Sequence, residues 1–424
     1  GKDFFVEQRR LREKRRREVA LSSYKEEKEA PLVRIGIAFG LDRFSFRSSS
    51  NFQIRSGDSS YQADSNTFYT LKAKGGELFL LDRESGQKYS SFSSEAEIIP
   101  LKSGKRVHPF YVLDVVYGRK DFWHTVIDRG YRGSLKAFLK DGQIVLVNIL
   151  SVEEYLYGVL AAEIPPRSGK EALRAQAILA RSLVLRGRGR HQGEGFDFCA
   201  DIHCQVYHGM SAETKTTINA VDATRGEVVT YEGEIPEIFY HSNCGGCLSA
   251  DVFGQKNYLA SGPDSKDESL PYSAYGKEMW FVDYPNSFCA SGRPNFRWQR
   301  IYDSEDFQLV FGLGLEDFEG IDARQREGCF RYSRINALWK QKTVSLESGL
   351  RIRNYFDRLR SSAFRVELKK KGLNQPNMLI FWGAGFGHGS GLCQEGAMGM
   401  ADSGYTYKEI LSHYYPKAVL EKRY

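Results

Sequence analysis

A chain of 424 residues is long enough for one large or two medium domains, and 41% hydrophobic with 13% aromatic residues is a globular composition, not a disordered one. The net charge of +7 favours anionic partners without choosing among nucleic acid, acidic lipid and a carboxylate-bearing polymer. No stretch approaches the ~20 apolar residues that span a bilayer, and seven cysteines, an odd count, argue against a scaffold built from disulfides alone.

Residues 1–31 read as a basic arm or linker, dominated by Arg9-Arg10-Leu11-Arg12-Glu13-Lys14-Arg15-Arg16-Arg17. From Leu32 the pattern becomes short β runs. Leu32-Val33-Arg34-Ile35-Gly36-Ile37-Ala38 alternates with period two, and Phe44–Arg47, Phe52–Arg55, Leu78–Leu81, Phe110–Val116 and Gln143–Asn148 continue it. Residues 32–150 are therefore expected to be mainly β, and 151–424 mixed α/β, giving an α+β fold.

Ser151 is a suitable N-cap, and Glu153 and Glu154 favour the positive end of a helix. Pro165-Pro166 stops that helix just after Glu163-Ile164. Ser168 opens a second helix, in which Leu173, Ala177, Ala180 and Val184 form a buried stripe with Arg174 and Arg181 off it. Glu227–Tyr231 and Phe239–His241 read as strands, and residues 260–360 carry no clear period. A glycine-rich loop at 383–391 precedes a helix containing Ala397 and Met400, and a last helix runs from about Tyr407 to Tyr414.

Four groups could carry chemistry. Glu163 lies beside Ala161, Ala162 and Ile164, an apolar surround that favours the protonated carboxyl of a general acid; the plainer reading is a surface glutamate at a helix end. His191, Cys199, His203 and Cys204 offer imidazole and thiolate donors suited to zinc, three of which would leave a catalytic position open; a local disulfide or buried thiols are the alternatives. Cys244-Gly245-Gly246-Cys247 fits a redox pair, a bridge, or half of a four-cysteine zinc site with Cys199 and Cys204. Gly383-Ala384-Gly385-Phe386-Gly387-His388-Gly389-Ser390-Gly391 would bring bare backbone up to a ligand, but its spacing is not a dinucleotide fingerprint and no P-loop lysine accompanies it.

Taken in order, these segments resemble the stage II sporulation protein D (SpoIID/LytB) family. Val152-Glu153-Glu154-Tyr155-Leu156-Tyr157-Gly158-Val159 is similar to its "EDYLxGVxxxEMP" region and puts Glu163 on the catalytic glutamate. Ala175–Ser182 resembles the "AQAVAARTY" helix, Cys204–Gly209 resembles "CQVYxG", and His241–Gly246 resembles "HSxxGG". Gly387-His388-Gly389 through Gln394-Glu395-Gly396-Ala397 to His413-Tyr414-Tyr415-Pro416 resembles the tail motif, with Ser390, Cys393 and Glu395 in place of its usual valine, serine and tryptophan.

The resemblance covers roughly residues 32–417 and implies a bacterial lytic transglycosylase acting on peptidoglycan. In that chemistry one glutamic acid cleaves the MurNAc–GlcNAc bond and leaves 1,6-anhydroMurNAc ends, with no second carboxylate needed to hold a water. Asp197, Asp201 and Glu395 are the candidates if a second acid exists. It implies helices flanking a glycan groove walled by Gln205, Tyr207, Ser242, Asn243, Gly245, Gly246, His388 and Gln394. It also implies zinc at His191, Cys199, His203 and Cys204.

The partners so implied are glycan strands and a cell-wall amidase, not nucleic acid, in an extracytoplasmic setting. The membrane would be met only through an N-terminal signal or anchor preceding this sequence. A non-catalytic wall-binding module that stimulates an amidase, and a zinc-dependent amide hydrolase, are the alternative functions.

Overall fold

The structure, a computed structural model, describes residues 24–25, 30–102, 106–117, 125–201, 203–266, 281, 286–290, 294–327, 329–371 and 375–424. Most of the basic arm expected at 1–31 lies outside the described residues. Its Tyr24–Lys25 pair antiparallel with Arg106–Val107. The fold is α+β, strand-dominated before residue 151, and falls into two compact units. The first comprises Gly1–Arg167, Ala177–Val228 and Lys422–Tyr424; the second, Ser168–Gln176 and Val229–Glu421.

In the first unit, period-two alternation builds two sheets. One runs in the order Thr125–Tyr131, Phe110–Tyr117, Arg43–Ser48, Tyr69–Lys74, Glu77–Asp82, Lys88–Phe92. The other runs Phe198–Cys199, Leu32–Leu41, Gln143–Ser151, Ser134–Lys140, Glu95–Pro100, Phe52–Ser56, Ser59–Ala63. Phe52 of the second sheet meets Phe46, Tyr69 and Phe110 of the first at ring-centroid separations of 5.9, 5.6 and 5.3 Å. All four are buried, and each such side chain contributes roughly 1.5–3 kcal/mol of apolar transfer free energy.

The strand Gln143–Ser151 runs directly into helix α1 (Val152–Glu163). Ser151 caps it reciprocally: its hydroxyl accepts from the Glu154 amide, and the Glu154 carboxylate accepts from the Ser151 amide. The helix stops at Ile164, whose backbone is extended before the two prolines.

Helix α2 (Lys170–Gly187) carries the expected stripe, with Leu173, Ala177, Ala180 and Val184 fully buried. Arg181, expected off that stripe, is also fully buried. Its guanidinium makes a two-pronged ion pair with Glu153 at 2.8 and 2.7 Å. Its other donors reach the carbonyls of Val221 and Glu227, and Glu153 also accepts from the Gly226 amide and the Tyr424 hydroxyl. Burying a charge pair is tolerable only when both ions are hydrogen-bonded this fully. The chain returns to this unit at its last residues, where the Arg423 amide donates to the Gly226 carbonyl.

In the second unit, residues 260–360, which show no period in sequence, hold several strands. Arg297–Asp303 pairs with Gln375–Ala384, which pairs with Phe364–Lys371; Phe318–Glu327, Arg331–Trp339 and Lys342–Glu347 form another sheet. Register shifts along Phe318–Glu327 break the alternation, which is why it did not show. Tyr302, Phe307, Phe318, Trp339, Phe356, Phe364 and Phe381 fill the core. Helices Gln394–Asp402 and Tyr407–Tyr414 close the unit; the second is capped by Thr406 and Glu409 in a capping box.

Candidate functional site

Glu163 is the last residue of α1 and is half-buried. Its Oε1 accepts the Val206 amide at 3.3 Å. Packing under the helix sets up that contact. Gly158, mid-helix, has no Cβ because one would lie 2.7 Å from the Tyr207 ring and 2.8 Å from the Gly209 carbonyl oxygen. The segment 206–209 therefore lies against α1, and its amide faces the Glu163 carboxylate.

The same segment begins at a cluster of imidazole and thiol donors. One ligand atom from each of His191, Cys199, His203 and Cys204 lies within 4.8 Å of every other. Cys204 Sγ is 3.3 Å from His191 Nε2 and 3.5 Å from His203 Nδ1, and Cys199 Sγ is 3.8 Å from His203 Nδ1. Donors at zinc's usual bond lengths stand about 3.5 Å apart around a tetrahedron, so this set fits the ion. Glu194 Oε1, 2.6 Å from His191 Nδ1, orients that imidazole from behind. A hydrogen bond from Cys204 lowers the Cys199 thiol to about 5 and pushes Cys204 itself up, so one thiolate is favoured. Phe198–Cys199 pairs parallel with Ile35–Gly36, which fixes Cys199 to a sheet edge.

Most of the expected groove walls are interior. Tyr207 is 2% exposed, donates to Asn148 Oδ1 at 2.8 Å and packs on Tyr155 at 5.0 Å, which places its ring in the core. Gln205 is likewise buried. In the second unit Asn243 is fully buried; its amide donates to the Cys289 carbonyl and Glu395, and its Oδ1 accepts from the Gly245 amide. Gln394 is buried and donates to Gln176 at 3.3 Å. Ser242 is half-buried, and its carbonyl accepts from the Glu395 amide.

The bare backbone of the glycine-rich loop admits neighbouring segments of the chain. A Cβ on Gly385 would stand 2.6 Å from the Asn243 carbonyl oxygen, and one on Gly245 2.9 Å from Ala384. Gly246 is buried in the same turn with positive φ. His388 is half-buried with both nitrogens engaged: Nδ1 accepts from the Ser390 amide and Nε2 donates to the Tyr240 carbonyl, each at 3.1 Å. Burial, with the Arg331 charge adding to it, lowers its pKa to about 4 and keeps the ring neutral.

Of the candidate second acids, Asp197 is tied to Arg34. Burial alone would raise its pKa, but the guanidinium and the Arg34 and Gly189 amides hold it below the ordinary carboxylate value. Glu395 spends its two oxygens on Asn243 and Asn295. Asp201 is exposed.

The C-x-x-C does not act as a unit. Cys247 is disulfide-bonded to Cys329, 82 residues away. Cys244 lies instead with Asp264, Cys289 and Cys393 in a second group of ligand atoms, all within 4.8 Å of one another and all buried. Reading the sequence alone missed this group, since its members share no spacing; the odd thiol count and the unusual Cys393 were the available signals.

Residues 140–231, which hold Glu163 and the cluster beside it, match the family described as "Stage II sporulation protein" (SpoIID). More particularly, the chain is homologous to stage II sporulation protein D of Bacillus subtilis, at 25% identity over 63% of this chain and 74% of that one. Residues 254–391 match a domain of unknown function, DUF8618. An uncharacterized protein of Brachyspira hyodysenteriae is 25% identical over 82% of this chain and 88% of its own length. The amidase enhancer of Bacillus subtilis is 26% identical over 62% of this chain and 40% of that protein.

Proposed function

We propose that this protein acts on the bacterial cell wall, outside the cytoplasm, as a peptidoglycan lytic transglycosylase with Glu163 as its acid and base. The observation that carries the reading is the position of Glu163, half-buried at the end of α1 with Oε1 held by the Val206 amide, inside the SpoIID domain. An oxygen that accepts a backbone N–H is the carbonyl-like one, so the transferable proton is assigned to Oε2.

In the forward step that proton passes to the glycosidic oxygen between MurNAc C1 and GlcNAc O4, and the C1–O bond breaks. The muramyl C6 hydroxyl then bonds to C1 and returns its proton to Glu163, which closes the 1,6-anhydro ring and restores the acid. No water enters, so no partner carboxylate is required. The commitments of Asp197 to Arg34 and of Glu395 to two asparagines agree with that economy.

Zinc held by His191, Cys199, His203 and Cys204 would supply a cross-link. Four protein donors leave no open position, which favours a structural ion over the catalytic one of a zinc amide hydrolase. Two residues beyond Cys204, the Val206 amide meets Glu163, so the anchored loop positions the acid.

The similarity to an amidase enhancer supports a second reading, a wall-binding module that stimulates a cell-wall amidase. Digesting purified glycan strands and assaying 1,6-anhydromuramyl ends by mass spectrometry separates the two. Their formation supports transglycosylation; binding without them, with stimulation of an added amidase, supports the module.

A further inference from the structure

We propose that Cys244, Asp264, Cys289 and Cys393 hold a second zinc ion, a buried structural site that cross-links four separate segments of the second unit. Cys244 Sγ lies 3.5 Å from Cys289 Sγ and 3.1 Å from Asp264 Oδ2, close to the edges of a tetrahedron of thiolate and carboxylate donors around zinc. Three sulfurs and one oxygen are a soft set that selects zinc over magnesium or calcium.

The surroundings are built for such an ion. Asp264 Oδ1 takes hydrogen bonds from His413 Nε2 and the Tyr414 hydroxyl, at 3.0 and 3.1 Å, which turns Oδ2 toward the thiols. Cys393 Sγ accepts the amides of Cys244 and Gly396 at 3.2 and 3.3 Å and caps the amino end of helix Gln394–Asp402, which fixes the sulfur beside Cys244, Cys289 and Asp264. Gly396 leaves the space, because a Cβ there would lie 2.6 Å from Asp264 Oδ2 and 3.2 Å from Cys393 Sγ.

Chemistry argues in the same direction. The Cys247–Cys329 disulfide marks an oxidising setting, in which three neighbouring buried thiols would not stay reduced unprotected. Among the described residues the buried Asp264 carboxylate meets one ionisable imidazole, His413, at Oδ1, and a cation at Oδ2 would offset its remaining desolvation cost. A metal resolves both, and it accounts for the odd thiol count.

Metal analysis of the purified full chain is expected to give two zinc ions per protein. Cys289→Ser and Asp264→Asn should each reduce that to one, and Cys204→Ser should remove the other. One ion in the wild type, unchanged in Cys289→Ser, overturns the proposal. So does a Cys244–Cys289 disulfide found by non-reducing peptide mapping. If the variants fail to fold, cobalt substitution of the wild type decides. Sulfur-to-cobalt charge-transfer intensity from all five free cysteines supports the site, and intensity from Cys199 and Cys204 alone overturns it.

Discussion

The amide of Val206 donates to Oε1 of Glu163 across 3.3 Å, two residues past Cys204. One short segment thus joins a cluster of imidazole and thiol donors to a helix-end carboxylate. Glu163→Gln keeps an oxygen that can accept that N–H while removing the transferable proton. Formation of anhydromuramyl ends should fall at least about 100-fold with circular dichroism unchanged. Turnover near the wild-type level would remove Glu163 from its assigned role.

Cys204→Ser tests the anchoring. It should release one zinc ion and lower turnover on the order of 100-fold, because a misplaced acid loses its alignment. Zinc content and anhydromuramyl yield are measured on the same preparation. Loss of the ion with activity intact would show that the loop holds its place unaided.

Tyr207→Phe separates a core residue from a groove wall. Removing its hydroxyl strands the buried Asn148 Oδ1, so stability to urea should drop by about 1–3 kcal/mol. Affinity for glycan strands, read by co-sedimentation, should not change. Weakened binding at unchanged stability would return Tyr207 to the substrate.

Arg181→Met leaves Glu153 charged in the interior. The expected loss is about 3–5 kcal/mol in equilibrium unfolding, with the Glu153→Gln/Arg181→Met pair recovering part of it. Equal, additive effects would mean that the two groups are not coupled.

His388 gives the fold a pH dependence of defined sign. Its pKa falls from the ordinary 6.5 to about 4 in the folded chain, so the unfolded state binds the extra proton between those values. The stabilisation is fully present above about pH 6.5 and is lost as pH falls toward 4; a shift of this size corresponds to roughly 3 kcal/mol. Urea midpoints should decline more steeply over that range for the wild type than for His388→Asn. Parallel pH profiles would contradict the assignment.

Helix α1 is legible because its ends are written into the sequence: Ser151 at its N-cap and Pro165 after Ile164. The grouping of Cys244, Asp264, Cys289 and Cys393 is not, since Cys244 and Cys393 stand 149 positions apart and only the fold unites them. At Gly385 and Gly245 the fold supplies what the sequence does not. A glycine that admits a ligand and one that admits a neighbouring strand of the same chain look identical in sequence. Arg181 stands off the apolar stripe in sequence, and its period does not reveal that Glu153 waits opposite it.

The hydroxyl of Tyr424 on Glu153 has a consequence for the order in which the chain can finish folding. The first unit needs residues 422–424, yet nearly two hundred positions of the second unit intervene after Val228. A chain synthesised or threaded across a membrane amino end first presents its two sheets early and must hold the Arg181–Glu153 pair incompletely satisfied until residue 424 arrives. Completion of the first unit is therefore a late event, timed by passage of the second.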